Sequence, residues 1–385
     1  MKKRSPAFKI RWIPLGSDIV NYETAIETMQ KKQSLGMKPG LSNISALLSK
    51  MANPQEKLRI IHIAGTNGKG TVAALISNAL SDCGLKTGLF TSPWVVDYRE
   101  QIQINGSFIP KDRFAAYVER YAGEPVTEFE LLTAIMYQYF ADEQVDYAVV
   151  ECGMGGALDA TNAFSRPELA VITSVSMDHT AFLGNTVKEI AAQKAGIIKE
   201  NCVCVLYPNP HCEDVFAQRC KETNSRLIRV PQQNDFKKNN LAVAKECVAY
   251  LHQCARLEYP SLPARQEMFG GVMLDGAHNE NGARALLDHL PFENIAAVIS
   301  MMADKDCNAY LKIIAPRCRR IITTETSNPR TLPAENLAAI AGRYCNSVTC
   351  EKNPHRALEL AKQENMFVLV CGSFFLARDL RKDLI

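Results

Sequence analysis

Residues 60–71 read IIHIAGTNGKGT, and few folds accommodate such a run. Ile60, Ile61 and Ile63 are apolar and β-branched, the signature of a buried strand. Gly65, Gly68 and Gly70 follow, with Lys69 between the last two and Thr71 after them, and a helical pattern then runs from Val72 to Leu80. A strand, a glycine turn and a helix start together form an anion site. Glycines let backbone N–H groups, those of Thr66 and Asn67 included, converge with no Cβ in the way, and the helix start adds positive potential. Lys69 can reach a β- or γ-phosphate, and Thr71 can help hold phosphate or Mg2+. The bland alternative is a turn that only joins a strand to a helix. Gly70, standing between Lys69 and Thr71, shifts the spacing by one residue from the commonest phosphate loop.

The surrounding pattern alternates strands and helices. Helices are expected over 22–33, 41–51, 128–143, 186–198 and 240–252, with a further one ending near Ala122. Strands are expected over 86–92, 146–153, 169–175, 202–207 and 226–230. Residues 1–16 read as an irregular lead-in. Such alternation implies a mostly parallel sheet with helices on both faces. The stretch Glu258–Pro263 carries two prolines and breaks the pattern, so it reads as a linker. Strands are then expected over 271–277, 295–302, 319–325, 347–350 and 367–373, with helices starting near Glu280, Asn308, Ala334 and His355. The fold class is therefore α/β in two domains. A phosphate-loop ATPase domain spans 1–258, a linker 259–263, and a smaller Rossmann-like domain 264–385.

Composition excludes several classes. A chain of 385 residues with 47% apolar and 22% charged content is an ordinary globular protein. A net charge of +3 does not argue for nucleic acid, and there is no 18-residue apolar run to span a membrane. The basic start, Met1 to Arg4, is not followed by a signal-peptide core. The thirteen cysteines are scattered with no C-x-x-C pair, so they read as reduced cytoplasmic thiols rather than a zinc or disulfide framework. Cys152 is expected to be a small packing residue.

In open parallel sheets, ligand-binding groups lie just past the C-terminal ends of strands. Ser92, Glu151 and Asp178-His179 each occupy such a position, beside the phosphate loop. A hydroxyl, a carboxylate and an imidazole there can share a divalent ion that keeps waters and phosphate oxygens as its other ligands. Glu151 alone could equally be a salt-bridge partner, and His179 a hydrogen-bonded turn residue. Asp275 and His278 end the first strand of the second domain and face the first, unless they only cap a helix. Gly372 and Ser373 end its last strand as a further polar contact. Lys194 sits in an apolar helical pattern and by itself reads as a lysine snorkelling to solvent.

Taken together, these stretches resemble the folylpolyglutamate synthase and dihydrofolate synthase family within the Mur-ligase-like superfamily. The resemblance rests on AGTNGKGT (64–71), LFTSP (89–93), FELLTA (129–134), ECGMGGALDATN (151–162), VITSVSMDHT (171–180), EIAAQKAGIIK (189–199), LDGAHN (274–279), ADKD (303–306) and CGSFFL (371–376). It covers nearly the whole chain past Tyr22, and it implies a Mur-ligase-type first domain. It also implies a reaction in which ATP phosphorylates a folate or pteroate carboxylate. The α-amine of L-glutamate then attacks the acyl phosphate, giving an amide, ADP and phosphate.

By the same resemblance, Ser92, Glu151 and His179 bind Mg2+, and Lys194 is carried as a carbamate able to bind a second Mg2+. Asn240, Arg265 and Asp275 contact nucleotide, and His278 is important for activity. Thr127, Phe129 and Glu130 with Leu158, Asp159 and Ala160 form the pterin-side pocket. The expected partners are small molecules only: ATP, L-glutamate, and folate or dihydropteroate. Neither nucleic acid nor membrane is expected, and a monomer is the default.

Several positions depart from the family's pattern. Trp94 stands where histidine is common, Ala157 where arginine is common, Ala264 in place of the glycine before Arg265, and Glu280 in place of a proline. The stretch from Tyr207 to Asn240 is short. Trp94 and Ala157 leave open a relative that joins glutamate or another amino acid to a non-folate carboxylate. A non-catalytic nucleotide-binding relative is the other alternative, against which Glu151, His179, Lys194 and Asp275 all argue.

Overall fold

The structure is a computed structural model that describes residues 21–33, 36, 39–252, 257–290, 294–363 and 365–385. The lead-in expected over 1–16 lies outside them. Two sheets organise the chain. The first contains β1 (Ile60–Ala64), β2 (Thr87–Phe90), β3 (Ile102–Ile104), β4 (Ser107–Phe108), β5 (Tyr147–Glu151), β6 (Leu169–Ile172), β7 (Val203–Leu206) and β8 (Arg226–Arg229), in the order β4-β3-β2-β5-β1-β6-β7-β8. All pair in parallel except the β2–β3–β4 edge, which is antiparallel.

β1 and β5 are buried along their whole length, as the continuous apolar runs require of central parallel strands. His62 is the polar exception in β1. It is fully buried, and its Nε2 lies 2.9 Å from Thr161 Oγ1 and 3.1 Å from Cys152 Sγ. Burial pushes its pKa down to about 3, so the ring is neutral.

Helices cover both faces. α1 (Tyr22–Gln33), α2 (Ser42–Lys50), α4 (Lys111–Tyr121) and α5 (Glu128–Asp142) build one apolar layer with Ile60, Phe90, Ala148 and Val150. α3 (Lys69–Asp82) and α9 (Phe236–Leu251) pack on Ile61, Ile63 and Val149 of the other face. α6 (Thr180–Leu183), α7 (Val187–Ala195) and α8 (Glu213–Glu222) complete this part of the chain, with α7 and α8 over β6 and β7.

The second sheet holds β9 (Glu267–Phe269), β10 (Val272–Leu274), β11 (Ile295–Ile299), β12 (Cys318–Thr323), β13 (Val348–Cys350) and β14 (Phe367–Cys371), in the order β13-β12-β11-β14-β10-β9. Only β9 is antiparallel. α10 (Glu280–Leu287), α11 (Cys307–Ile314) and α12 (Ala334–Ala341) contribute to the core on one side of it. α13 (Pro354–Lys362) and α14 (Phe374–Leu380) contribute to the core on the other.

The departures from expectation have local causes. α9 begins at Phe236 rather than Asn240, because Asp235 caps it by accepting from Lys238 N at 2.7 Å. The strand expected over 271–277 stops at Leu274, because Asp275 turns its carboxylate onto backbone N–H groups. The β3–β4 hairpin was not expected. Its two-residue turn, Asn105 and Gly106, has φ of 48° and 76°, the mirror-image turn that matches strand twist. Ala264 also has a positive φ, 53°, which explains why glycine suits that position. Glu280 replaces proline at the first helical residue of α10, where an acid meets the positive end of the helix.

Candidate active site

The C-terminal ends of both sheets face one cavity of about 960 Å3. The phosphate loop leaves β1 at Ala64 and enters α3 at Lys69. A Cβ on Gly65 would sit 1.8 Å from Thr173 Oγ1, and one on Gly68, where φ is 86°, would sit 2.7 Å from Asn240 Oδ1. Both positions therefore require glycine. Thr66 N donates to Ser174 O at 2.6 Å, and Ser174 Oγ donates to Asn67 O at 3.2 Å, so the loop is pinned to the segment after β6.

Lys69 Nζ lies 3.2 Å from Thr66 O and 3.9 Å from Glu151 Oε1. Glu151 is almost fully buried at the end of β5 and accepts from Ser92 N at 3.1 Å. Desolvation raises its pKa, while Lys69 and Arg265 pull it down. Arg265 comes from the second lobe, with its guanidinium carbon 3.9 Å from the Phe374 ring centre, and burial lowers its pKa.

His179 has a φ of 48° at the start of α6, and its Nε2 lies 3.2 Å from Lys305 Nζ. Desolvation first, then Lys305, His278 and Lys69, lower its pKa to about 4 against the opposing pull of Asp178, so the imidazole is neutral at pH 7. A neutral imidazole and a buried carboxylate beside the lysine of a glycine loop are donors suited to a divalent cation with few protein ligands. Among the described residues no three His, Cys, Asp or Glu side chains form a ready-made cage. A cation here would therefore draw on phosphate oxygens and water.

Lys194 does not snorkel. It is 2% exposed on α7, donates to Gly65 O at 2.9 Å, and has its pKa lowered to about 7 by desolvation and then by Lys69. Across the cavity, Asp275 accepts from Gln266 N and Ala277 N at 2.8 and 2.7 Å, with its pKa raised by burial. His278 Nδ1 is 2.8 Å from Gly276 O, and its Nε2 faces the Asp178 carboxylate at 3.7 Å.

Toward the other end, Thr127 and Glu130 cap α5 reciprocally, with Glu130 Oε2 accepting from Thr127 N at 2.7 Å. Glu130 Oε1 is buried without a partner. Asp159 accepts from Met154 N and Thr161 N at 2.7 and 3.0 Å and so orders the turn 153–161. Phe129 covers Gly153, where a Cβ would meet its ring at 2.6 Å. Leu158 is half exposed and Ala160 is buried. Ser373 caps α14 by accepting from Phe375 N at 3.1 Å. Every residue given a ligand-binding or catalytic role in the sequence lines this one cavity.

Sequence reasoning assigned no role to Lys305, Asn279 or Arg378. Lys305 and Asn279 lie within the ADKD and LDGAHN stretches, but only the fold shows that they reach Asp178. Nothing in the sequence pointed to Arg378.

Residues 63–263 match the Mur ligase middle domain, and residues 264–374 match the Mur ligase glutamate ligase domain. The dihydrofolate synthase/folylpolyglutamate synthase of Bacillus subtilis is 31% identical, over 94% of this chain and 99% of its own length. The Mycobacterium tuberculosis folylpolyglutamate synthase complexed with ADP and AMPPCP superposes with a TM-score of 0.82 at 27% identity, over 94% of this chain and 99% of the other. The bifunctional folylpolyglutamate synthase/dihydrofolate synthase of Yersinia pestis, complexed with AMPPNP and a Mn ion, gives 0.83 at 25% identity, over 94% and 98%.

Proposed function

The chain belongs to the Mur ligase family, in the group of dihydrofolate and folylpolyglutamate synthases, and from that premise we propose that it uses ATP to join L-glutamate to the carboxylate of a folate or dihydropteroate. The observation that carries this reading is the single cavity in which the Lys69 loop and Glu151 face Asp275 and His278 of the other lobe.

The reaction follows from these residues. The loop amides from Gly65 to Thr71 and the Lys69 ammonium hold the phosphates of ATP and neutralise charge as the γ-phosphoryl passes to the acceptor carboxylate. Ser92, Glu151 and His179 would hold Mg2+, which screens two approaching anions from one another. Asn240, Arg265 and Asp275 hold the nucleotide between the lobes. Thr127, Phe129, Glu130 and the turn 158–160 receive the pterin, for which the unpartnered Glu130 Oε1 is a ready acceptor. The glutamate ammonium loses a proton to water beside His278, and the freed amine attacks the acyl phosphate. An amide forms, and phosphate leaves with the electrons of the broken C–O bond.

Lys194 supports a further step before catalysis. A lysine with a pKa of about 7 is substantially neutral, so Nζ can add CO2 and release a proton. The carbamate would then be an anion positioned for a second Mg2+. The division of labour follows the sheets: residues 1–258 bind ATP and pterin, 259–263 link, and 264–385 bring glutamate chemistry. Glutamate-dependent ADP release, measured with dihydropteroate, tetrahydrofolate and non-folate carboxylates, tests the reading. Release with neither pteridine overturns it.

A further inference from the structure

Arg378 is a cation with no part in the scheme above. It stands on α14, with its guanidinium carbon 4.4 Å from the Trp94 ring centre and 4.9 Å from that of Phe375. Trp94 belongs to the opposite lobe, two residues beyond Ser92, so an aromatic ring from each lobe holds the same guanidinium. Its polar partners are weak. Nε is 3.7 Å from Asp379 Oδ1, and Nη2 is 3.5 Å from Ser327 Oγ. Asp379 is already engaged, accepting from Ser327 N and Oγ at 2.9 and 3.1 Å. The side chain is only 19% exposed and lines the cavity that contains Ser92 and Lys69. A guanidinium offers five donors and cannot give up its charge, so this one is an under-used fork for a carboxylate.

We propose that Arg378, held between Trp94 and Phe375, determines acceptor specificity by binding the free carboxylate beside the reacting one on an acceptor that already carries a glutamyl residue. The inference rests on the ligase reading. In such an acceptor the γ-carboxyl reacts while the α-carboxylate lies a few bonds away. The reacting group must reach Ser92 and Lys69. Trp94 is two Cα–Cα steps from Ser92, at most about 8 Å, which is the scale of one glutamyl unit. An acceptor ending in a benzoate has a single carboxylate and leaves Arg378 unmatched. Tryptophan offers a guanidinium the best of the aromatic faces.

The test compares kcat/KM for glutamate-dependent ADP release with tetrahydrofolate and with dihydropteroate. The proteins compared are the unaltered chain, Arg378→Met, Arg378→Lys and Trp94→His. Arg378→Met is expected to lower the tetrahydrofolate-to-dihydropteroate ratio about 10- to 100-fold, through the acceptor KM, as loss of a charged hydrogen bond does. Arg378→Lys restores part of the ratio. An equal fall for both acceptors, or a fall residing in the glutamate KM, overturns the proposal. If Arg378→Met does not fold, Trp94→His decides on the same ratio, and an unchanged ratio overturns the proposal. An unaltered chain active with dihydropteroate alone keeps the ligase reading and overturns this one. Activity with neither acceptor overturns both.

Discussion

Lys305 Nζ lies 2.6 Å from Asp178 Oδ1, and both side chains are less than a tenth exposed. The pair ties the loop after β11 to the loop after β6, so it crosses between the two sheets. Asn279 Nδ2 reaches the other carboxylate oxygen at 2.9 Å, and His278 Nε2 is 3.7 Å from it. Burial alone would raise the pKa of Asp178, but His278 and Lys305 hold it well below the usual carboxylate range. A depressed carboxylate contributes stability above its unfolded pKa of about 3.9, and that stability is lost as pH falls through the folded value.

The pair should therefore couple strongly. In a double-mutant cycle, Asp178→Asn and Lys305→Met are expected to interact by about 1–3 kcal/mol in denaturant unfolding at pH 7, since each single change strands a buried partner. Additive effects would mean that the lobes do not depend on this contact.

Lys69→Ala is expected to lower glutamate-dependent ADP release about 100- to 1000-fold, as loss of one charge-stabilising donor does. Lys69 is a loop-end residue whose contacts are polar, so the melting temperature should move by only about 2 °C. Near-normal turnover at an unchanged melting temperature would remove the phosphate-loop role.

Lys194 gives two pH signatures. Its pKa falls from 10.5 to about 7 on folding. Between these values the unfolded chain binds the extra proton, so stability rises with pH across that window and is level below it. Lys194→Met should flatten this rise in urea midpoints measured from pH 7 to 10. Activation by bicarbonate should also grow with pH around about 7, as the neutral amine forms. A bicarbonate-independent rate, with an unmodified lysine in a ligand-bound crystal structure at full activity, would exclude the carbamate.

Closure of the lobes should accompany catalysis, because acyl phosphates hydrolyse and water must be kept out. The radius of gyration in small-angle scattering is expected to fall when ATP analogue, acceptor and glutamate are all present. Asp275→Ala and His278→Ala should each reduce turnover strongly while the first lobe keeps its unfolding midpoint. An unchanged radius, together with full turnover in a chain cross-linked open, would discard closure.

Much of this was legible in residues 60–71, because a strand, three glycines and a lysine in that order leave the backbone few choices. Glu151, His179 and Asp275 were legible for a related reason: parallel strands put their C-terminal neighbours on one edge. Lys194 was misread by pattern alone. A lysine in an apolar helix reads as snorkelling, and only the packing of α7 against the loop shows that its head is buried against Gly65 O. The reciprocal cap of α5 is written in the sequence as Thr127-x-x-Glu130, whereas the burial of Glu130 Oε1 without a partner shows only in the fold. β9 and the β3–β4 hairpin escaped because strands of two or three residues carry too little periodicity. Arg378 escaped because its meaning lies in Trp94, which is 284 positions away in the sequence of 385.

The turn at Asn105 and Gly106 has a practical use. Asn105 is committed, since its Oδ1 accepts from Thr87 N at 2.7 Å and Ser81 Oγ at 3.1 Å. Gly106 is exposed, and a Cβ added there meets nothing within 4 Å. The turn lies at the edge of the first sheet, where β4 is the outermost strand, and does not line the cavity. A dye or affinity handle attached at the exposed Ser107, leaving Gly106 in the positive φ that the turn requires, would therefore report on the first lobe without entering the chemistry, and would give a fixed reference point for following its partner lobe by energy transfer.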